Sequence, residues 1–201
     1  MNMIITRQSQ KRRFEFNNLY DILVEMIKDT DPSQFDYEKD FQRALEELLE
    51  RRFIELPEVK TISLTDNDHN HWRLDFVLKL GDLFVPIELK FRHDEQSTNG
   101  YAADFVEDVH RINSLIAAYD DIPLGFAICL TNKADFIDEC VSKIKEYDES
   151  ELSKGHHNNN ISWEKMSDGY SIGVVRRIPH QDRVNKKAFF ASDWWHKAKA
   201  K

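Results

Sequence analysis

Two short stretches in the middle of the chain have apolar residues at every second position. They cover residues 73–79 and 83–90, and this period of two is typical of β-strands with one buried face. Gly81 and Asp82 separate the two stretches and predict a short turn. The pattern therefore predicts a β-hairpin. Pro86 cannot donate a backbone hydrogen bond, so we expect a bulge or an unpaired neighbour beside it.

The predicted hairpin brings four charged residues to one face. A two-residue turn places Asp75 opposite Glu88 and Arg73 opposite Lys90. Two carboxylates in direct opposition have β-carbons about 4.5–5.5 Å apart and repel each other. A divalent cation would offset that repulsion, because ions such as Mg²⁺ are held by one or two carboxylates together with water and phosphate oxygens. The hairpin thus indicates a metal site, and the alternative is an ordinary hairpin with solvated charges on its outer face.

The remaining elements follow from the same kind of pattern. Apolar residues at helical spacing predict four helices, and short apolar runs predict three further strands. We expect the first helix to pack on the outside and residues 148–162 to form a polar loop. From the second helix onward the order is αβββαβ, followed by a helix and a last strand. The predicted helices cover residues 14–29, 36–52, 101–119 and 134–147, and the strands cover residues 59–65, 123–131 and 170–178.

Two of the helices place charged residues on or beside their apolar faces. Glu38 projects between Leu45 and Leu49 on the second helix, so it is a candidate third acid of the hairpin site. The alternative is a glutamate that caps the first turn of the helix. On the third helix Asp108 and Arg111 are three residues apart, which allows an ion pair.

Composition limits the class of protein. The chain has 201 residues, of which 41% are hydrophobic, which is enough to bury the core of one domain. No apolar run approaches the roughly 20 residues of a membrane span, and the first residues lack the apolar segment of a signal peptide, so we expect no membrane association and a cytoplasmic location. The net charge of −8 runs against the simplest expectation for a nucleic-acid-binding protein. Bound divalent ions would neutralise part of that charge.

The residues of the hairpin resemble a known signature. Asp75, followed after twelve residues by Glu88, Leu89 and Lys90, resembles the Asp…Glu-x-Lys motif of the PD-(D/E)XK nuclease superfamily. Leu74 stands where the family often has proline. The resemblance implies an α/β restriction-endonuclease-like αβββαβ core, in which a central mixed sheet is flanked by helices. Here it would have an extra N-terminal helix and a C-terminal strand and tail.

The same resemblance implies roles for individual residues. Asp75, Glu88, the carbonyl of Leu89 and Glu38 would hold Mg²⁺ or Mn²⁺, and Lys90 would position water and stabilise developing charge. Glu38, Asp75, Glu88 and Lys90 are thus the expected catalytic residues. The expected contacts to nucleic acid are made by Arg73, Arg92 and Arg111.

The resulting hypothesis is a metal-dependent nuclease that hydrolyses phosphodiester bonds, with DNA as the expected substrate. A restriction, defence or mobile-element endonuclease is the role that the resemblance suggests, and it leaves a homodimer open. The alternative is a non-catalytic module that binds nucleic acid or a protein on a nuclease-like fold. We expect a single nuclease-like domain, in which residues 1–35 form an N-terminal helical extension, residues 36–147 the core, and residues 148–201 a polar loop, the last strand and a tail.

Overall fold

The computed structural model describes residues 19–52, 58–65, 71–93, 98–119, 121–152, 161–166 and 168–177. These residues form a mixed α/β fold with one open sheet. None of the helices within these ranges is long and apolar enough to cross a membrane. The helices are α1 (residues 19–28), α2 (Glu38–Arg52), α3 (Thr98–Ala118) and α4 (Ala134–Leu152), with a short 3₁₀ helix at Pro32–Gln34. The strands are β1 (Glu58–Thr65), β2 (His71–Leu80), β3 (Leu83–Arg92), β4 (Gly125–Thr131), β5 (Ile161–Lys165) and β6 (Ser171–Arg177).

The sheet is mixed, because it contains both antiparallel and parallel strand pairs. The strands lie in the order β1-β2-β3-β4-β6-β5. Only β3 and β4 are parallel among the recorded pairs, and α3 makes the long connection that a parallel pair needs. The predicted αβββαβ order of elements is confirmed from α2 to β4.

The hairpin between β2 and β3 has the predicted turn, and its recorded pairs follow the predicted register. The predicted opposition of Asp75 with Glu88 and of Arg73 with Lys90 lies beyond these recorded pairs. Gly81 adopts a φ of 69°, a conformation that favours glycine in a two-residue turn. The recorded register runs from Leu80 opposite Leu83 to Phe76 opposite Ile87.

Pro86 lies in this regular register without a bulge. It pairs with Val77, so the expectation of an irregularity at Pro86 is wrong. Phe84 lies two residues before Pro86, so the backbone nitrogens of both residues point to the same side of the strand. The N–H of Phe84 points away from β2 and donates to the carbonyl of Asp121 at 2.8 Å. The nitrogen of Pro86 points the same way, so the missing donor breaks no bond to β2.

The irregularity lies one strand away, between β1 and β2. Lys60 pairs with Val77 and Ile62 pairs with Leu74. Between these two pairs β2 advances by three residues and β1 by two, so β2 contains one extra residue. The extra residue interrupts the alternation of β2, and Leu74 and Val77 consequently pack into the same apolar cluster. Leu74 and Phe76 therefore pack into different apolar clusters, so the predicted period of two over residues 73–79 is interrupted here. Asp75 lies inside this bulged segment.

Helices cover both faces of the sheet. On one face α1 and α2 share a continuous core with the apolar residues of the hairpin, and α3 and α4 pack on the other face. The expectation that the first helix packs on the outside is wrong, because Leu19, Leu23 and Ile27 are fully buried in that core. Residues 19–28 are thus part of the core and not an outer extension.

Parts of the predicted polar loop at residues 148–162 belong to regular secondary structure. Helix α4 continues to Leu152, five residues beyond its predicted end, and Ile161–Lys165 forms β5. Five residues offer too short an alternation to identify a strand from sequence. Their pairing with β6 decides the matter. The predicted last strand is confirmed as β6.

A close approach at Gly125 fixes how α3 lies on the sheet. A β-carbon at this position would lie 2.6 Å from Cγ2 of Ile112 on α3 and 3.1 Å from both Cγ and the carbonyl oxygen of Pro86. Both neighbours belong to the packed interior, so neither can move away freely. Helix α3 carries Asp108 and Arg111, and the absent side chain of Gly125 therefore sets their distance from β3.

We predict that Gly125→Ala lowers the free energy of unfolding by about 1–3 kcal/mol, the usual cost of inserting an atom into a packed core. Gly100→Ala is the control, since Gly100 is in α3 with nothing within 4 Å of an added β-carbon. That substitution should raise stability by about 0.5–1 kcal/mol, because alanine is the better helix former. Urea unfolding of both variants measures the two changes, and equal effects would contradict the packing argument.

Candidate active site

The predicted catalytic residues meet in one pocket. It has a volume of about 250 Å³ and lies between the hairpin, the start of α2 and one face of α3. All of its lining residues are charged, six acidic and three basic. They are Glu38, Arg73, Asp75, Glu88, Lys90, Asp104, Glu107, Asp108 and Arg111. The structure thus brings together residues from three segments that are far apart in the sequence.

Asp75 is held by one backbone group of β3 and by one side chain each from β3 and α2. Its Oδ2 atom accepts a hydrogen bond from the backbone N–H of Leu89 at 2.8 Å. Its own N–H donates to Oε2 of Glu88 at 3.4 Å, and its carbonyl accepts from Nε2 of Gln42 at 3.1 Å. The bulge in β2 explains this arrangement, because an extra residue re-aims the side chain beside it. Asp75 and Glu88 are neighbours, as predicted, but backbone donors lie between them.

Glu88 is buried and bound to an arginine. Only 2% of its surface is exposed, and its Oε1 atom lies 2.5 Å from Nη1 of Arg111. Burial raises the pKa of Glu88 well above its usual range, and the nearby carboxylates of Asp108 and Asp75 raise it further, whereas Arg111 acts in the opposite direction. Glu88 is therefore an acid whose ionised form the fold tolerates only beside a cation such as Arg111.

Arg111 links Glu88 to a second buried carboxylate. The same Nη1 atom donates to Oδ1 of Asp108 at 3.2 Å, which confirms the predicted ion pair within α3. Burial raises the pKa of Asp108 to about 7, although Lys90 and Arg111 lower it. Both guanidinium contacts are thus made to acids that are unfavourable when ionised without a partner.

Lys90 lies between two carboxylates from opposite sides of the pocket. Its Nζ atom is 3.4 Å from Oε2 of Glu38 on α2 and 3.6 Å from Oδ2 of Asp108 on α3. Burial lowers the pKa of Lys90, but the charges of Asp108 and Glu38 outweigh burial and raise the pKa above its ordinary value. The ammonium group therefore stays protonated and is fixed in position, with 15% of the side chain exposed.

Glu38 faces the pocket and does not cap its helix. Its Oε2 atom accepts from the backbone N–H of Phe91 at 3.4 Å in addition to its contact with Lys90. The start of α2 is capped instead by Asp40, which accepts from the backbone N–H groups of Asp36 at 3.2 Å and Tyr37 at 3.0 Å. Glu38 therefore lines the pocket, whereas Asp40 makes the capping contacts of α2.

Asp104 and Glu107 of the pocket, and Gln42 beside it, were not expected from the sequence. Asp104, Glu107, Asp108 and Arg111 occupy one face of α3 at spacings of three, four and seven residues. The same spacing in the sequence offered a signal for Asp104 and Glu107, which the apolar stripe of this helix obscured. Gln42 offered a similar signal, since it lies one turn after Glu38 on α2.

The three arginines expected to contact nucleic acid have different environments. Arg73 is exposed at the pocket and Arg111 is half-buried within it. Arg92 is 2% exposed, and its guanidinium lies 4.1 Å from the ring centroid of Tyr101. The structure therefore does not bring Arg92 to the pocket surface, because the side chain is inside the protein in this conformation.

The pocket offers ligands that suit a hard cation without forming a complete metal site. Within the described parts of the chain, no group of three or more His, Cys, Asp or Glu residues is arranged to hold a metal ion. The donor chemistry nevertheless fits Mg²⁺ or Mn²⁺, because carboxylates outnumber basic groups by six to three and such ions need only one or two carboxylates besides water. Arg111 at present makes the contact to Glu88 that such an ion would make.

We predict different effects on stability for the two acids at the start of α2. Asp40→Ala should lower the free energy of unfolding by about 0.5–2 kcal/mol, the usual loss for a helix cap. Glu38→Gln should change it by less than about 0.5 kcal/mol, as is common away from such features. Burial raises the pKa of Glu38, so ionisation is less favourable in the folded state than in the unfolded one and removing the charge costs little. Urea unfolding at pH 7 measures both, and equal losses would assign Glu38 a structural role.

Similarity to known proteins does not assign this pocket. Comparisons with protein-family models, with curated proteins and with solved structures find no match to the chain. The geometry and charge of the pocket therefore carry the functional conclusion.

Proposed function

We propose that this protein is a metal-dependent nuclease of the PD-(D/E)XK type that hydrolyses phosphodiester bonds, with DNA as its substrate. The observation that carries the proposal is the convergence of Asp75, Glu88, Lys90 and Glu38 on one charged pocket. The four residues come from β2, β3 and α2. An ordinary hairpin with solvated charges would not bury Glu88 or enclose Lys90 between acids of two helices.

The order of elements supports the same proposal at the level of the fold. Helix α2 is followed by three antiparallel strands, then by α3 and by β4, which pairs in parallel with β3. The αβββαβ order of these elements, in a mixed sheet, is what the resemblance to the restriction-endonuclease-like fold implies, and it supports the proposal. A defence or mobile-element role is part of the proposal on that resemblance alone.

The proposal includes a divalent cation, Mg²⁺ or Mn²⁺, held by Asp75, Glu88, the carbonyl of Leu89 and Glu38. Such an ion supplies a water molecule of lowered pKa and neutralises charge on the phosphate. The protein itself does three things. The backbone N–H of Leu89 and the side chain of Gln42 hold Asp75 in place.

The cationic residues of the pocket have the second and third of these roles. Lys90 is protonated and held between Glu38 and Asp108, so it presents a preorganised charge to the oxygen on which negative charge develops. Arg73 and Arg111 provide donors for the phosphodiester backbone, since a guanidinium matches the geometry of phosphate oxygens.

One observation favours the second candidate function, a non-catalytic binding module. Arg111 already neutralises Glu88, so the buried acids form an ion-pair network that stands without a metal. The net charge of −8 also suits a partner other than nucleic acid. The two functions are separated by whether cleavage depends on a divalent cation and on Glu88.

We predict that the purified protein cleaves nucleic acid in the presence of Mn²⁺, that a chelator stops the reaction, and that Glu88→Gln abolishes it. The substitution keeps the side-chain volume and removes the charge that the ion requires. Glu47→Gln is the matched control, because Glu47 is exposed on α2 and pairs with Arg51. Gel assays with mixed DNA and RNA measure cleavage, and thermal unfolding shows whether each variant folds. Undiminished cleavage by a folded Glu88→Gln variant would exclude the proposed site.

We predict that Lys90→Met lowers turnover by roughly 10²–10³ at saturating Mn²⁺, the size expected when one preorganised charge-stabilising group is lost. Methionine retains an apolar stem like that of lysine, so packing is largely kept. Lys143→Met is the matched control, because it removes an ion pair with Glu139 on α4, and neither residue lines the pocket. Turnover of Lys90→Met within a few-fold of the control would make Lys90 a structural counter-ion only.

A further inference from the structure

We propose that Arg111 acts as a resident cation of the pocket. It forms an ion pair with Glu88 while no divalent ion is bound. When an ion binds Glu88, the guanidinium instead donates hydrogen bonds to a phosphodiester oxygen. This inference rests on the proposed function and adds an order of events to it. Metal and nucleic acid would then bind cooperatively, because each removes an obstacle to the other.

The contacts of Arg111 support an exchange between partners. Its Nη1 atom bridges Glu88 at 2.5 Å and Asp108 at 3.2 Å. The first contact is to an expected metal ligand on β3, and the second is to a residue one turn away on its own helix. When Glu88 is given up, Asp108 still holds the guanidinium at the pocket, so the arginine changes partner without leaving.

The charge balance explains why the site needs a resident cation. Glu88 is 2% exposed, and a buried carboxylate without a partner is strongly destabilising. A divalent ion and the guanidinium both satisfy that requirement. They would therefore compete for the same carboxylate.

The released guanidinium would stay at the pocket and remain accessible to a substrate. Arg111 lines the pocket together with exposed Arg73, and 18% of its side chain is accessible. Five N–H donors in a planar fork suit either a carboxylate or a phosphate. Hydrogen bonds from Arg111 to a phosphodiester would thus replace the one that it loses with Glu88. By thermodynamic linkage, its binding would strengthen metal binding by the same factor that the metal strengthens its own.

Calorimetric titration of the whole protein with Mn²⁺ tests the competition without any measurement of activity. Arg111→Gln should bind Mn²⁺ at least about tenfold more tightly than the wild type, since the ion no longer displaces a charge-assisted hydrogen bond. Arg73→Gln is the matched control. It removes the same charge from an exposed position in the same pocket and should change the affinity by less than about fivefold.

Arg111→Lys guards against a variant that fails to fold. Lysine keeps the charge, but its compact ammonium group on a flexible stem does not reproduce the planar guanidinium, so its contact with Glu88 should be weaker. Its affinity for Mn²⁺ should fall between those of the wild type and Arg111→Gln. Thermal unfolding with and without Mn²⁺ gives a second readout, because a tighter-bound ion raises the melting temperature more.

A second titration tests the transfer to phosphate. A phosphorothioate-linked DNA oligonucleotide carries the backbone charge and resists hydrolysis, and its presence should increase the Mn²⁺ affinity of the wild type. The increase should be smaller in Arg111→Gln. An equal increase in both proteins would overturn the transfer.

The outcomes separate this inference from the proposed function. If the wild type and both Arg111 variants bind Mn²⁺ with equal affinity, the resident-cation role is wrong and the metal-dependent function stands. If none of them binds Mn²⁺, the metal-dependent function and the inference both fall. Tighter binding by Arg111→Gln, with Arg111→Lys intermediate and Arg73→Gln little changed, supports the inference.

Discussion

Burial of like charges is the constraint on which the rest of this structure depends. Six carboxylates and three basic groups share one pocket, and Glu88 and Asp108 are almost completely removed from water. Each buried acid would cost several kcal/mol without a cation beside it. Lys90 and Arg111 meet that requirement, since each bridges acids on different elements. The pocket is therefore a network in which no charge can change without consequences for its neighbours.

The backbone around the pocket is built to hold this network at short range. The bulge in β2 brings the carboxylate of Asp75 to the N–H of Leu89, and Gln42 of α2 holds the carbonyl of the same residue. On the other side, Gly125 lets α3 approach the sheet closely enough for Arg111 to reach Glu88. The two sides of the pocket are thus set by different parts of the fold, and both are needed for the ion pairs to form.

An excess of negative charge connects this architecture to the proposed chemistry. A pocket whose acids outnumber its bases attracts cations and, by itself, repels a phosphodiester. A bound divalent ion would reverse the second effect, and a lysine fixed beside it would act on charge that develops during hydrolysis. The same excess is compatible with a binding module whose acids are neutralised by Arg111 alone. Whether cleavage depends on a divalent cation therefore distinguishes the two functions.

Much of the fold could be predicted from the sequence because periodicity is a property of neighbouring residues. The alternation on either side of Gly81 and Asp82 predicted the hairpin and its register from the turn to Phe76 and Ile87. The apolar stripe of α2 predicted that Glu38 points inward. The spacing of Asp108 and Arg111 likewise predicted their ion pair. These results needed only the local geometry of strands and helices.

Tertiary structure decided what depends on partners distant in the sequence. Residues 19–28 became core because the sheet offered them an apolar face, and Ile161–Lys165 became a strand because β6 offered an edge. Arg92 is buried beneath Tyr101, whereas Arg111 reaches a carboxylate 23 residues away. A long charged side chain can reach many positions, and only the packed fold determines which of its possible partners lies within hydrogen-bonding distance. The sequence by itself therefore determined the elements and the acids of the site, and the tertiary contacts determined which cation neutralises each acid.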